Sequence, residues 1–213
     1  SFSAEEIPVF RDSLTDLSKI YDYSLQKQDF FQCNSGSVVG GDQAVMIDYN
    51  AFEALKDSGG QLVLYPYLVW KVNGGAKVEF FAYLWDFSQN FTLSWSSDGQ
   101  NYTEIPLSSV TIDEITTANE EEKGLADEFG NAENNISHRL YTIDQIDATA
   151  RFFKVTWPKI DASYKAAPSM VRFTGGTAEA APTYEKTVSM TNNREADIAD
   201  MAAFSESFVF DQK

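Results

Sequence analysis

Apolar and polar residues alternate along much of this chain, and the alternation predicts strands. Residues 91–96 read FTLSWS, with Phe91, Leu93 and Trp95 on one face and Thr92, Ser94 and Ser96 on the other. A period of two marks a half-buried strand. Asp98-Gly99 and the run NYTEI at 101–105 follow, and Asp-Gly between two alternating runs predicts a hairpin. Residues 77–85 (KVEFFAYLW) are dense in the aromatic and β-branched types that suit a pleated surface. Residues 139–143, 151–157 and 170–174 make three more strands, and weaker runs lie at 29–33, 44–49, 62–65, 67–72, 185–190 and 207–210. Helical signals are few: 51–56 for a turn or two, 112–128 in part, and 194–204. Short strands separated by turn signals, with no long helix between them, predict an all-β antiparallel sandwich rather than a parallel α/β sheet.

No Pro/Gly/Ser linker divides the middle of the chain, so residues 1–213 read as one domain. Two stretches depart from the strand pattern. Residues 106–138 form a long connection rich in Asp, Glu and Asn, and connections of that length are usually functional or disordered. Residues 175–183 (GGTAEAAPT) read as a surface loop.

Charge narrows the classes of partner. Lys and Arg number 16 against 32 Asp and Glu, a net charge of −16. That balance argues against nucleic acid, which needs a clustered positive surface. The longest apolar run, 62–70, is interrupted by Pro66 and is too short to span a bilayer, so no membrane insertion is expected. The single cysteine, Cys33, can form neither a disulfide within the chain nor a thiolate zinc site. The chain opens at Ser1 without a basic or apolar leader and reads as a mature protein or an excised domain.

Catalytic signals are weak. There is one histidine, His138, and no GxSxG nucleophile elbow. Gly40-Gly41 and Gly59-Gly60 read as turns, since no GxxxxGK[ST] follows either. With 32 acidic residues any nominated carboxylate pair is uninformative, and no compact Glu-x-Asp-x-x-Glu run is present. The domain itself is therefore expected not to be an enzyme, and it requires no cofactor. Hard cations favour Asp, Asn and backbone oxygens in loops, which makes residues 34–42 (NSGSVVGGD) the candidate for a structural calcium, without EF-hand spacing and with no metal ligands assigned.

Three segments in order carry a family likeness. FTLSWSSDGQNYTEI at 91–105 resembles the central hairpin of discoidin-type, galactose-binding-like domains; ARFFKVTWP at 150–158 is similar to a later strand of that group, and MVRFTG at 170–175 to its last core strand. The likeness covers roughly residues 77–176. It implies a β-sandwich jelly roll with a few short helices in loops. In bacteria it implies carbohydrate binding by a module attached to a secreted polysaccharide-degrading enzyme, hence an extracellular or cell-surface location. Fold likeness alone is a weak warrant for a ligand.

Topology gives a separate argument for where a ligand binds. If each strand crosses the sandwich, successive connections alternate between its poles. Placing 86–90 at pole A puts 98–99 at pole B, 106–138 at A, 144–150 at B, 158–169 at A, 73–76 at B and 50–60 at A, with 62–72 taken as one crossing. Pole A then collects the longer loops, and binding residues concentrate in such loops. It gathers Trp85 and Trp157, with Tyr49, Phe52 and Tyr164 nearby in sequence, and the polar groups Asp86, Asn90, His138, Arg139, Lys159 and Asp161. An aromatic face stacks on the apolar side of a pyranose while polar side chains bind its hydroxyls. The expected ligand set is Trp85, Asp86, Asn90, Tyr49, His138, Arg139, Trp157 and Lys159. Core packing competes for two of these, since Trp85 follows Phe81 and Tyr83 on one face and Trp157 shares a face with Phe153 and Val155. The expected partners are a polysaccharide or oligosaccharide and neighbouring domains of the same polypeptide. The competing expectation is a structural or adhesive sandwich domain that mediates protein–protein or cell-surface contacts.

Overall fold

The computed structural model describes residues 7–24, 28–35, 43–61, 63–115 and 138–177. In chain order the strands are β1 (Val9–Asp12), β2 (Asp22–Tyr23), β3 (Phe31–Ser35), β4 (Gln43–Ile47), β5 (Tyr67–Lys71), β6 (Lys77–Leu84), β7 (Thr92–Ser96), β8 (Thr103–Glu104), β9 (Thr111–Ile115), β10 (His138–Ile143), β11 (Phe152–Thr156) and β12 (Ala166–Thr174). Among the described residues the one α-helix is α1 (Tyr49–Ala54). Asp48 caps it, its carboxylate accepting the N–H groups of Asn50 and Ala51.

Two five-stranded sheets face each other, ordered β1-β12-β6-β10-β9 and β2-β5-β11-β7-β8, with β3-β4 as a separate hairpin. Every strand pairing among the described residues is antiparallel. The protein is an all-β antiparallel sandwich. Inward residues of both sheets share one core: Val78, Phe80, Ala82 and Leu84 of β6 meet Leu68 and Trp70 of β5, Leu93 of β7, Phe153 and Val155 of β11, and Tyr141 of β10. Burial of this apolar surface is the main force holding the layers together. The outward face of β6 is covered too. Phe81 clusters with Ile115, Leu140 and Met170, while Tyr83 clusters with Ala44 and Met46 of β4 and with Ala167. A strand covered on both faces loses its apolar/polar alternation, which is why 77–84 reads as a nearly continuous apolar run.

A polar link crosses the core between β1 and β5. Trp70 Nε1–H donates to Asp12 Oδ2 at 2.9 Å, and Asp12 Oδ1 accepts the N–H of Leu14, also at 2.9 Å. Leu14 has φ of 55°, in the left-handed region that non-glycine residues seldom adopt.

The registers fix the poles. Leu84 opposes Ala166 and Tyr83 opposes His138 at one end of the first sheet, while Thr156 opposes both Tyr67 and Thr92 at the same end of the second. This is pole A, and it holds the connections 85–91 and 157–165, as the alternation argument expects. Pole B holds 72–76 and 144–151.

Several expected elements are corrected. Residues 63–65 are not a strand, and the crossing starts at Tyr67. Residues 106–138 are not a single connection, and the helix expected from 112 begins instead as β9, which pairs with β10 along the sheet edge. The acidic side chains of Asp113 and Glu114 point to solvent, a normal way to blunt an edge strand. Residues 166–169 belong to β12 rather than to a loop, with the ladder register shifting between Pro168 and Met170; proline lacks the N–H a regular ladder needs. The turn at Asp98-Gly99 is wider than a two-residue hairpin, and β8 keeps only two residues. The expected elements at 185–190, 194–204 and 207–210 lie outside the described residues.

Candidate functional site

Pole A carries two adjoining hollows. The first, of about 470 Å³, lies between loops 85–89 and 159–165, with Trp85, Asp86, Lys159, Asp161 and Lys165 on its walls and Gln61 at its margin. The second, of about 330 Å³, lies among Tyr65, Asn90, Thr92, Thr156, Trp157 and Pro158. Gln89 and Lys159 line both.

Trp85 follows directly on β6 and is 61% exposed. Its backbone is pinned, since its N–H donates to the Lys165 carbonyl at 2.9 Å. Its ring is met edge-on by Tyr164, itself 41% exposed, with centroids 6.0 Å apart. Asp86 turns the loop, its carboxylate accepting both the N–H and the hydroxyl of Ser88 at 2.8 Å. These bonds, the N–H first, hold its pKa below the ordinary carboxylate value. Asp161 pairs with Lys165 at 2.7 Å. The bond lowers the carboxyl pKa and raises that of the ammonium. Lys159 is exposed and forms no ion pair among the described residues.

Arg139, expected among the ligand residues, explains how the loop keeps its shape. Its side chain is almost wholly buried. The guanidinium lies over the Phe87 ring at 4.7 Å and donates to the carbonyls of Phe87 and Gln89, to Asn90 Oδ1 and to Glu114 Oε1. Asn90 Oδ1 also accepts the Tyr141 hydroxyl at 2.9 Å. Burial raises the pKa of that phenol. Asn90 thus lines the second hollow while its carbonyl oxygen is committed to the scaffold.

Of the other expected ligands, His138 and Tyr49 line neither hollow, and Trp157 lines the second from the core side. His138 is fully buried, its ring stacked on Phe81 at 4.8 Å with an interplanar angle of 6°. Trp157 is core: it packs on Phe31 and Phe91, and its Nε1–H donates to the Ala166 carbonyl at 3.1 Å. Tyr49 is exposed at the start of α1 and lines neither hollow, and Phe52 is buried in the core. The structure therefore groups Trp85, Asp86, Asn90, Trp157 and Lys159 of the expected set, together with Tyr164 and Asp161.

Sequence reasoning missed Tyr65, Gln61, Gln89 and Lys165. Tyr65 is 51% exposed beside Pro66. The pre-proline position was its one local signal, as it disfavours regular helix and marks a junction.

Among the described residues no group of three or more His, Cys, Asp or Glu is placed to hold a metal ion. Most of the calcium candidate, residues 36–42, lies outside the described residues. No helix among them is long and apolar enough to cross a membrane. Comparisons with protein-family models, with curated proteins and with solved structures gave no significant match.

Proposed function

We propose that the chain is a non-catalytic carbohydrate-binding module of the galactose-binding-like jelly-roll kind, which attaches a secreted polysaccharide-degrading enzyme to its glycan through pole A. The observation that carries this reading is the exposed Trp85 ring, braced by Tyr164 at the rim of a hollow lined with amides, carboxylates and ammonium groups. A platform already fixed in place loses little conformational entropy when a ligand stacks on it. The apolar face of a pyranose fits the indole, and the surrounding polar groups satisfy ring hydroxyls in both directions, as donors and as acceptors. Water competes well for every one of these polar contacts, so the aromatic face supplies most of the net affinity.

Affinity electrophoresis through gels containing a panel of plant, fungal and bacterial polysaccharides tests the reading. At least one glycan retards the wild-type chain, and Trp85→Ala restores free mobility. Unchanged mobility on every glycan, or equal retardation of the variant, overturns it.

A further inference from the structure

We propose that pole A grips at least two linked sugar residues, one on the Trp85–Tyr164 platform and the next against Tyr65, with Lys159 and Gln89 at the junction between them. The inference rests on the carbohydrate-binding reading and specifies its ligand as an oligosaccharide rather than a single sugar.

Three observations carry it. The two hollows are contiguous, sharing Gln89 and Lys159 as a common wall. Each has its own exposed ring, Trp85 at 61% on one side and Tyr65 at 51% on the other. Their volumes of about 470 and 330 Å³ each fall within the range of about 300–1,000 Å³ usual for small-molecule sites, so one pyranose fills one hollow and leaves the other in water.

The chemistry of the shared wall fits a glycosidic junction. Lysine offers three donors and no acceptor, and the glutamine amide offers both. Of the two ammonium groups in the first hollow, Lys165 is held by Asp161 at 2.7 Å, whereas Lys159 makes no ion pair among the described residues. Its donors are available for the oxygens on either side of the linkage between two sugars. Once the first sugar is seated, the second is delivered at high effective concentration, so affinity climbs with chain length without the two rings touching.

Isothermal titration of the full chain with monomers and linear oligomers of glucose, xylose, mannose and N-acetylglucosamine tests this. In the series that binds, affinity rises by about tenfold from monomer to dimer. Tyr65→Ala removes that rise, while Trp85→Ala weakens monomer and dimer alike. Equal affinity for monomer and dimer, or a rise that survives Tyr65→Ala, overturns the two-residue site and leaves the carbohydrate reading standing. Failure of every sugar to bind the wild-type chain overturns both.

Discussion

The chain has four tryptophans, and the structure gives them separate tasks. Trp70 and Trp157 are buried, Trp95 is half-buried against the core, and Trp85 stands in water. Trp157→Ala empties a site walled by Phe31 and Phe91 and leaves the Ala166 carbonyl without its indole donor. It is expected to cost about 3–5 kcal/mol in urea unfolding, the range for large-to-small changes in packed cores. Trp85→Ala stays within about 0.5 kcal/mol of wild type, as surface substitutions do. Sequence pattern separated these residues only in part. Strand alternation set Trp157 beside Phe153 and Val155, which was the right face. It did not separate Trp85 from Tyr83, two positions back on the same covered face, because what exposes Trp85 is the end of the ladder at Leu84.

At the scale of elements, the 85–91 loop is shaped from outside itself. Its own residues supply the Asp86 turn, but Arg139 on β10 collects two of its carbonyls and the Asn90 amide oxygen. Arg139→Met removes these donors and uncovers buried acceptors. Stability is expected to fall by about 2–4 kcal/mol in urea, since hydrogen bonds from a charged donor count for more than neutral ones and the stranded acceptors pay desolvation. Arg139→Lys does not rescue it, because a single ammonium cannot reproduce a planar fork reaching four acceptors. The sequence showed an Arg at a loop-to-strand junction, where a ligand contact and an internal clamp look the same. The partners that decide between them lie 25 to 52 positions away. β9 was hidden for a related reason: as an edge strand it shows mainly Thr, Asp and Glu to solvent, with Ile115 its one buried residue.

For the molecule as a whole, alternating connections were legible because the strong strands are well marked and a sandwich allows each of them one crossing. The pattern places 86–90 and 158–169 at one pole, and the structure keeps 158–165 of the latter there, with 166–169 folded into β12. Tertiary closure was not legible in the same way. The Asp12–Trp70 bond joins residues 58 positions apart and ties the first sheet to the second. Trp70→Phe keeps most of the packing and leaves Asp12 Oδ2 buried without that donor, and it is expected to lower the unfolding free energy by about 1–3 kcal/mol. The check is a urea titration followed by circular dichroism, in which both sheets melt in one transition.

Ile115 and His138 face each other across the β9–β10 ladder at pole A. The chain leaves the sheet at Ile115 and re-enters it at His138 on paired rungs, so the ladder itself holds together the two ends of the intervening connection. Doubling or halving the length of that connection changes the closure entropy by only about 0.6 kcal/mol. A reporter or capture peptide spliced next to either rung would therefore start from the same pole as the aromatic platform.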